Sequence, residues 1–289
     1  MARAFLPSQT RSLLRALMVA AVVSGPVVGK AEAAANGAFL SHQALYDLSL
    51  LKSRGSNSVN NARGRIVYSF TGSACEGYTS EFRQVSEMSS GEDKVTLSDL
   101  RSTSWEDAAG KTYRFKIDSR MNDIDTGPVD GIAERVGDHI TVKLKQPQTK
   151  TFNLDGATVF PTEQIQRIIV AAKQGKSILE QAVYDGSDNG EKVFNTLAVI
   201  GQPIRGDRSI PSPDPSTEND VMKSAMRWPV TVSYYDRDTK SDGEQTPIYA
   251  MSFELFENGV SRALVLDYND FVISGALGKF NVKDAKPCN

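Results

Sequence analysis

The sequence has little histidine, cysteine or tryptophan: two of each in 289 residues. With only His42 and His139 available as a base, a serine or cysteine triad is hard to assemble. Two Cys and two scattered His also lack the close spacing of a zinc site. No G-x-S-x-G elbow, H-E-x-x-H pair, G-x-G-x-x-G turn or Walker-type phosphate loop occurs. A carboxylate pair of the glycosidase kind would need two isolated acids, and Asp267 and Asp270 read instead as a strand end and a turn. There is no basic block, and the formal net charge is −2, so nucleic acid is not an expected partner. Together these absences predict a non-enzymatic protein without metal or cofactor.

The first thirty-odd residues read as an export signal. Arg3, Arg11 and Arg15 form a positive start, Ala16 to Val28 an apolar core, and Ala31-Glu32-Ala33 a small-x-small cleavage pattern. Cleavage is expected between Ala33 and Ala34. Gly25 and Pro26 interrupt the apolar run, which falls short of the roughly 20 residues a membrane helix needs. No cysteine lies near the cleavage site, which argues against a lipid anchor. Loss of residues 1–33 moves the formal net charge from −2 to −5. Residues 34–289 are expected to form a single domain, and nothing in them predicts stable membrane insertion. In an oxidising compartment the two thiols have one intramolecular pairing, Cys75 with Cys288; two free thiols and an intermolecular bridge are the alternatives.

One segment of the mature chain has a convincing helical period. In GATVFPTEQIQRIIVAAKQG, Ile165, Ile168, Ile169 and Ala172 share one face. Thr162 is the expected N-cap, Glu163 lies in the first turn, and Gly175 is placed to end the helix. Nearly everything else alternates polar and apolar residues between Gly, Asn, Asp and Pro signals. The reading is about fourteen strands and one main helix, with the helix covering a sheet. Asn258-Gly259 marks a tight hairpin. Residues 201–225, with Pro203, Pro211, Pro213 and Pro215, read as an exposed loop.

Several motifs reduce to structure. Asp185 to Gly190 imitates the start of a calcium loop, but Thr196 stands where the bidentate glutamate belongs and both flanks read as strands, so a hairpin turn is expected. Arg205-Gly206-Asp207 carries too little specificity for a role. Trp105, Trp228, Tyr234, Tyr235, Tyr249, Phe253, Phe256 and Tyr268 punctuate the strands. They fit core packing, or a curved sheet whose uncovered apolar surface holds a lipid or peptide.

Seven short strings then occur in order: Cys75-Glu76-Gly77-Tyr78, Phe160-Pro161-Thr162-Glu163, Tyr184-Asp185-Gly186-Ser187-Asp188, Trp228-Pro229-Val230, Gly243-Glu244-Gln245-Thr246-Pro247, Glu257-Asn258-Gly259-Val260-Ser261-Arg262 and Leu266-Asp267-Tyr268. Taken together they resemble the EipB family of exported envelope proteins in Gram-negative bacteria, over essentially the whole mature chain. The resemblance implies a periplasmic protein with one highly curved, spiral or barrel-like antiparallel sheet around a helix. It also implies an internal disulfide, mapping onto Cys75 and Cys288, and a contribution to envelope integrity under stress. The family brings no established catalytic residues. A monomer is expected, binding a periplasmic protein, a peptide or a lipid-linked envelope component; the alternative is a carrier of lipid or lipoprotein acyl chains on a concave apolar face.

Overall fold

The computed structural model describes residues 39–54, 59–91, 94–206, 213–238 and 245–284. The expected cleavage site at Ala33 and Ala34, and Cys288, lie outside those residues. Alternation in the sequence becomes β1 (His42–Ser53), β2 (Val59–Ser73), β3 (Gly77–Ser90), β4 (Lys94–Glu106), β5 (Thr112–Met121), β6 (Ile124–Asp125), β7 (Val129–Val136), β8 (His139–Gln146) and β9 (Lys150–Asp155). After α1 (Pro161–Lys173) come β10 (Ile178–Val183), β11 (Phe194–Ile200), α2 (Pro215–Glu218), β12 (Arg227–Asp236), β13 (Tyr249–Phe256), β14 (Ser261–Asp267) and β15 (Phe271–Val282). The fold is mainly β, as expected. The two elements missed are short: β6 has two residues and α2 four, too few for a hydrophobic period to show.

All fifteen strands join one antiparallel sheet. Most strands pair with their chain neighbours, as short turns dictate, but β7 pairs with β5 past the short β6, β9 and β10 do not pair, and β15 returns to lie beside β1. The order is therefore β10-β11-β12-β13-β14-β15-β1-β2-β3-β4-β5-β7-β8-β9, with β6 beside β5. The two edge strands, β9 and β10, are the ones that flank α1 in the chain. Just past β9, Val159 forms a parallel bridge to Val183 of β10, its N–H donating to the Ala182 carbonyl at 2.8 Å. The sheet is curved back toward itself in this way without closing into a barrel.

Inner positions follow the strand period. In β1, Ala44, Tyr46 and Leu48 are buried while Asp47 and Ser49 are exposed. The buried residues form two cores. The larger joins β1, β2 and β11 to β15 with Ile168, Ile169, Ala171 and Ala172 of α1. The smaller joins Tyr113, Phe115, Val129, Ala133, Ile140, Val142 and Leu144 with Phe160, Tyr184 and Val193. Each fully buried Ile or Leu side chain contributes about 1.5–3 kcal/mol. The turn at Asp185–Gly190 covers the smaller core, which is why it needs glycine. Gly186 has φ +73°, and a Cβ there would stand 2.4 Å from the Phe115 ring. The turn reading of this segment holds, and among the described residues no cluster of acids, His or Cys could hold a metal ion.

The start of α1 differs from the expected one. Phe160, not Thr162, occupies the N-cap, with Pro161 at the first helical position and no capping bond from the cap residue itself. The orphan helix N–H groups are met from another strand. Both carboxylate oxygens of Glu106, at the end of β4, accept from the backbone of Thr162 (2.7 Å) and Glu163 (2.8 Å). Arg135 of β7 ties down the approach to the helix: it donates to the Gly110, Gly156 and Thr158 carbonyls, pairs with Glu163 and lies over the Phe160 ring. The C-terminus is as expected. Gly175 has φ +72°, and Lys176 N–H reaches back to the Ala171 carbonyl at 3.0 Å.

The Pro-rich stretch also departs from expectation. The departure is partial: Gly201, Gln202, Pro203 and Arg205 are exposed as expected, whereas from residue 213 on Ser216, Met222 and Ala225 are buried between exposed or half-buried neighbours. Asp214 caps α2 and accepts from Arg262 at 2.5 Å.

Candidate binding surface

The residues that sequence reasoning considered for chemistry are dispersed. His42 is buried in β1 among Tyr68, Phe70 and Phe280, its Nδ1 2.7 Å from the Leu40 carbonyl. Burial lowers its pKa, so it stays neutral and serves the core. His139 is half-exposed beside β7, 3.2 Å from Asp138. Asp267 is engaged by Arg54 through both carboxylate oxygens, which holds its pKa below the usual range and accounts for it structurally. Cys75 sits in the exposed turn between β2 and β3, and its expected partner Cys288 is outside the described residues.

The aromatic residues divide by face. Trp228, Phe253 and Phe256 are core. Tyr234, Tyr249, Tyr268 and Phe271 form a ladder along one rim of the inner face, with Tyr234 and Tyr249 stacked at 4.4 Å. Trp105 alone of the two tryptophans lies on the outer face, half-buried.

Around Trp105 the outer face forms an open groove of about 780 Å³. It runs across β3, β4, β5, β7 and β8, with Thr79 of β3 beside Trp105. The turn Asp107–Lys111 sets the pairing of β4 with β5, which places Arg114 directly opposite Trp105. Ile132 follows opposite Arg114, and in the next row Thr103 faces Lys116, which faces Asp130. A bulge at Asp130/Gly131 leaves Lys145 as the extra residue of β8, and it too lines the groove. Arg114 lies 5.1 Å from the Trp105 ring centroid and, among the described residues, makes no ion pair. Among the described residues the ion pairs of Lys116 and Lys145 are long, 3.9 Å to Asp118 and 3.6 Å to Asp130. Exposed pairs of this kind contribute little. Among the described residues Asp130 is the one acid lining the groove.

A second outer hollow, about 300 Å³ between Asp99, Arg101, Asp118 and Arg120, is neutralised from within. Asp99 pairs with Arg83 (3.0 Å) and Arg101 (3.1 Å), and Arg83 first among its neighbours holds it down to about 2. The Trp105 groove thus carries the unspent positive charge. Sequence reasoning found Trp105 but missed Arg114, Lys116, Ile132 and Lys145. The Asp107–Lys111 turn was a legible signal for Arg114; the bulge that exposes Lys145 was not.

The inner face leaves less room. α1 fills it over β10 and β11, the Asp185–Gly190 turn covers β5, β7 and β8, and between them Phe82 of β3 and Leu100 of β4 are half-buried. Among the described residues no helix is long and apolar enough to cross a membrane.

Comparison with known proteins agrees with this architecture. A family model described as EipB-like matches residues 33–284. The chain is 33% identical over 278 residues to the Cell envelope integrity protein EipB of Brucella abortus (strain 2308), covering 94% of this chain and 96% of that protein. It also superposes on the crystal structure of a β-barrel-like protein of domain of unknown function DUF1849 from Brucella abortus, with TM-score 0.77 and 31% identity, over 86% of this chain and 99% of that one. The chain belongs to the EipB-like family.

Proposed function

We propose that this protein supports cell-envelope integrity from the periplasm, without catalysis, by holding a protein, peptide or lipid-linked envelope component in the groove beside Trp105. The process is suggested by the Brucella relative's name. The binding reading is carried by one observation: the inner face is largely packed, whereas the outer groove is open and bears cations with weak or no partners. Pockets with a few convergent polar groups are where ligands bind. A photo-crosslinking amino acid placed at Thr103, inside the groove, is expected to capture one discrete component in intact cells. The same group at Lys279, exposed on β15, should not. Identical products from both positions, or none from Thr103, would remove the groove from consideration.

A second reading, the lipid or acyl-chain carrier, is favoured by half-buried Phe82 and Leu100 on the inner face. Native mass spectrometry of the protein from its own periplasm, before and after organic extraction, separates the two. The expected species is a monomer beginning at Ala34, lower by two hydrogens for the Cys75–Cys288 bridge and free of lipid. A lipid released on extraction would favour the carrier, and the full dithiol mass, two hydrogens heavier, would reject the bridge.

A further inference from the structure

We infer that the occupant of the Trp105 groove is an acidic, extended polypeptide segment whose carboxylates are held by Arg114, Lys116 and Lys145. This rests on the binding reading above and adds the chemistry of the partner. Charge complementarity is the first argument. Three cations and one acid line the groove, in a mature chain whose formal net charge is −5. Among the described residues Arg114 has no carboxylate partner, and the Lys116 and Lys145 contacts are long enough to be exchanged for those of a ligand.

The aromatic group decides against a carbohydrate. A sugar needs a free aromatic face, and Trp105 lacks one. Arg114 lies over its ring, a Cβ on Gly77 would stand 2.8 Å from it, and its Nε1–H donates to the Glu76 carbonyl at 3.1 Å. What the tryptophan offers is a rigid support that aims the guanidinium into the groove. A flat membrane fits poorly as well, because the apolar side chains that line the groove, Trp105, Phe115 and Ile132, are half-buried or buried and so offer nothing to insert. The recess spans five strands, about 19 Å at roughly 4.8 Å per strand, which is about six residues of extended chain. Half-buried Ile132 and the Trp105 edge form an apolar floor between the charges, suited to a segment in which acidic and smaller residues alternate.

The test uses the mature protein and labelled decapeptides of alternating Glu and Thr, or Lys and Thr, with fluorescence anisotropy as the readout. The Glu peptide is expected to bind at about 50 mM salt and to weaken at least tenfold near 300 mM, as screening predicts. Arg114→Gln with Lys116→Gln should reduce its affinity at least tenfold. Reversal of all three cations (Arg114→Glu, Lys116→Glu, Lys145→Glu) should transfer preference to the Lys peptide. Binding unaffected by these substitutions overturns the inference, as does association with phosphatidylglycerol vesicles that is lost in the Gln variant while neither peptide binds. If the Glu peptide fails to bind but Thr103 still captures a discrete component, the acidic partner is rejected and the groove stands. If both fail, the binding reading falls with it.

Discussion

Replacing Glu106 by Ala is expected to destabilise the protein by about 2–4 kcal/mol, more at pH 5 than at pH 8. The loss at either pH comes from two helix N–H groups, of Thr162 and Glu163, left without an acceptor in a site where Glu106 itself is 3% exposed. A buried unsatisfied polar group costs about 1–3 kcal/mol. The pH dependence comes from the same burial. Desolvation raises the Glu106 carboxyl to about 7, against the helix N–H bonds that lower it and with nearby Glu163 adding to the rise. A folded pKa above the unfolded value near 4.5 means that the native state binds the extra proton between about pH 4.5 and 7. The group's contribution is therefore full below that window and declines as pH rises through it, by a few kcal/mol at roughly 1.4 per pH unit. The Glu106→Ala variant has no such titration, so the difference between the two proteins narrows as pH rises. Urea unfolding of both at pH 5 and pH 8 measures it. A difference that widened toward pH 8 would show that the helix N-terminus stabilises the anion more than burial disfavours it.

Replacing Arg262 by Ala should cost about 3–5 kcal/mol and loosen the segment around α2. Arg262 is almost fully buried and bridges two carboxylates, Asp214 at 2.5 Å and Glu254 at 2.7 Å. Glu254 is shared with Arg227, which is 3% exposed and lies over the Phe256 ring. Removing one member of a buried charge network leaves the others uncompensated, and that, more than the lost attraction, sets the penalty. Asp214 is also the cap of α2, so its release unties residues that bury Met222 and Ala225. Tryptic cleavage after Lys223 should accelerate in the Arg262→Ala variant along with a lowered urea midpoint. Pairing Arg262→Met with Asp214→Asn should recover part of the loss. A cost under about 1 kcal/mol with an unchanged tryptic rate would mean the network contributes little.

Much of the architecture was legible because it is local. A period of two along β1, a period of 3.6 along α1 and the Asn258-Gly259 turn each depend on residues a few positions apart, and each appears where expected. So does Gly175, whose positive φ at the helix end is a property of one residue. The misreadings were all long-range. Thr162 looked like a cap because caps are usually adjacent, whereas the actual acceptor, Glu106, lies 56 residues earlier in the chain. The Pro-rich stretch is largely exposed as read, but Arg262 in β14 holds Asp214, and Ser216, Met222 and Ala225 after it are buried. The burial of His42 in its strand is likewise decided at long range, by Phe70 and Phe280.

The candidate surface divides along the same line. Residue spacing was enough to show that the chain is mainly β with one amphipathic helix, that catalytic and metal-binding motifs are missing, and that Trp105 belongs to the strand aromatics. Those are matters of spacing and of residue type. Tertiary structure alone decided which face Trp105 occupies, that the inner face is packed by α1 and the Asp185–Gly190 turn, and that a bulge turns Lys145 outward beside Lys116. The physical reason is that a strand's alternation is symmetric between its two faces. Which face is core is settled only when distant elements arrive to bury it.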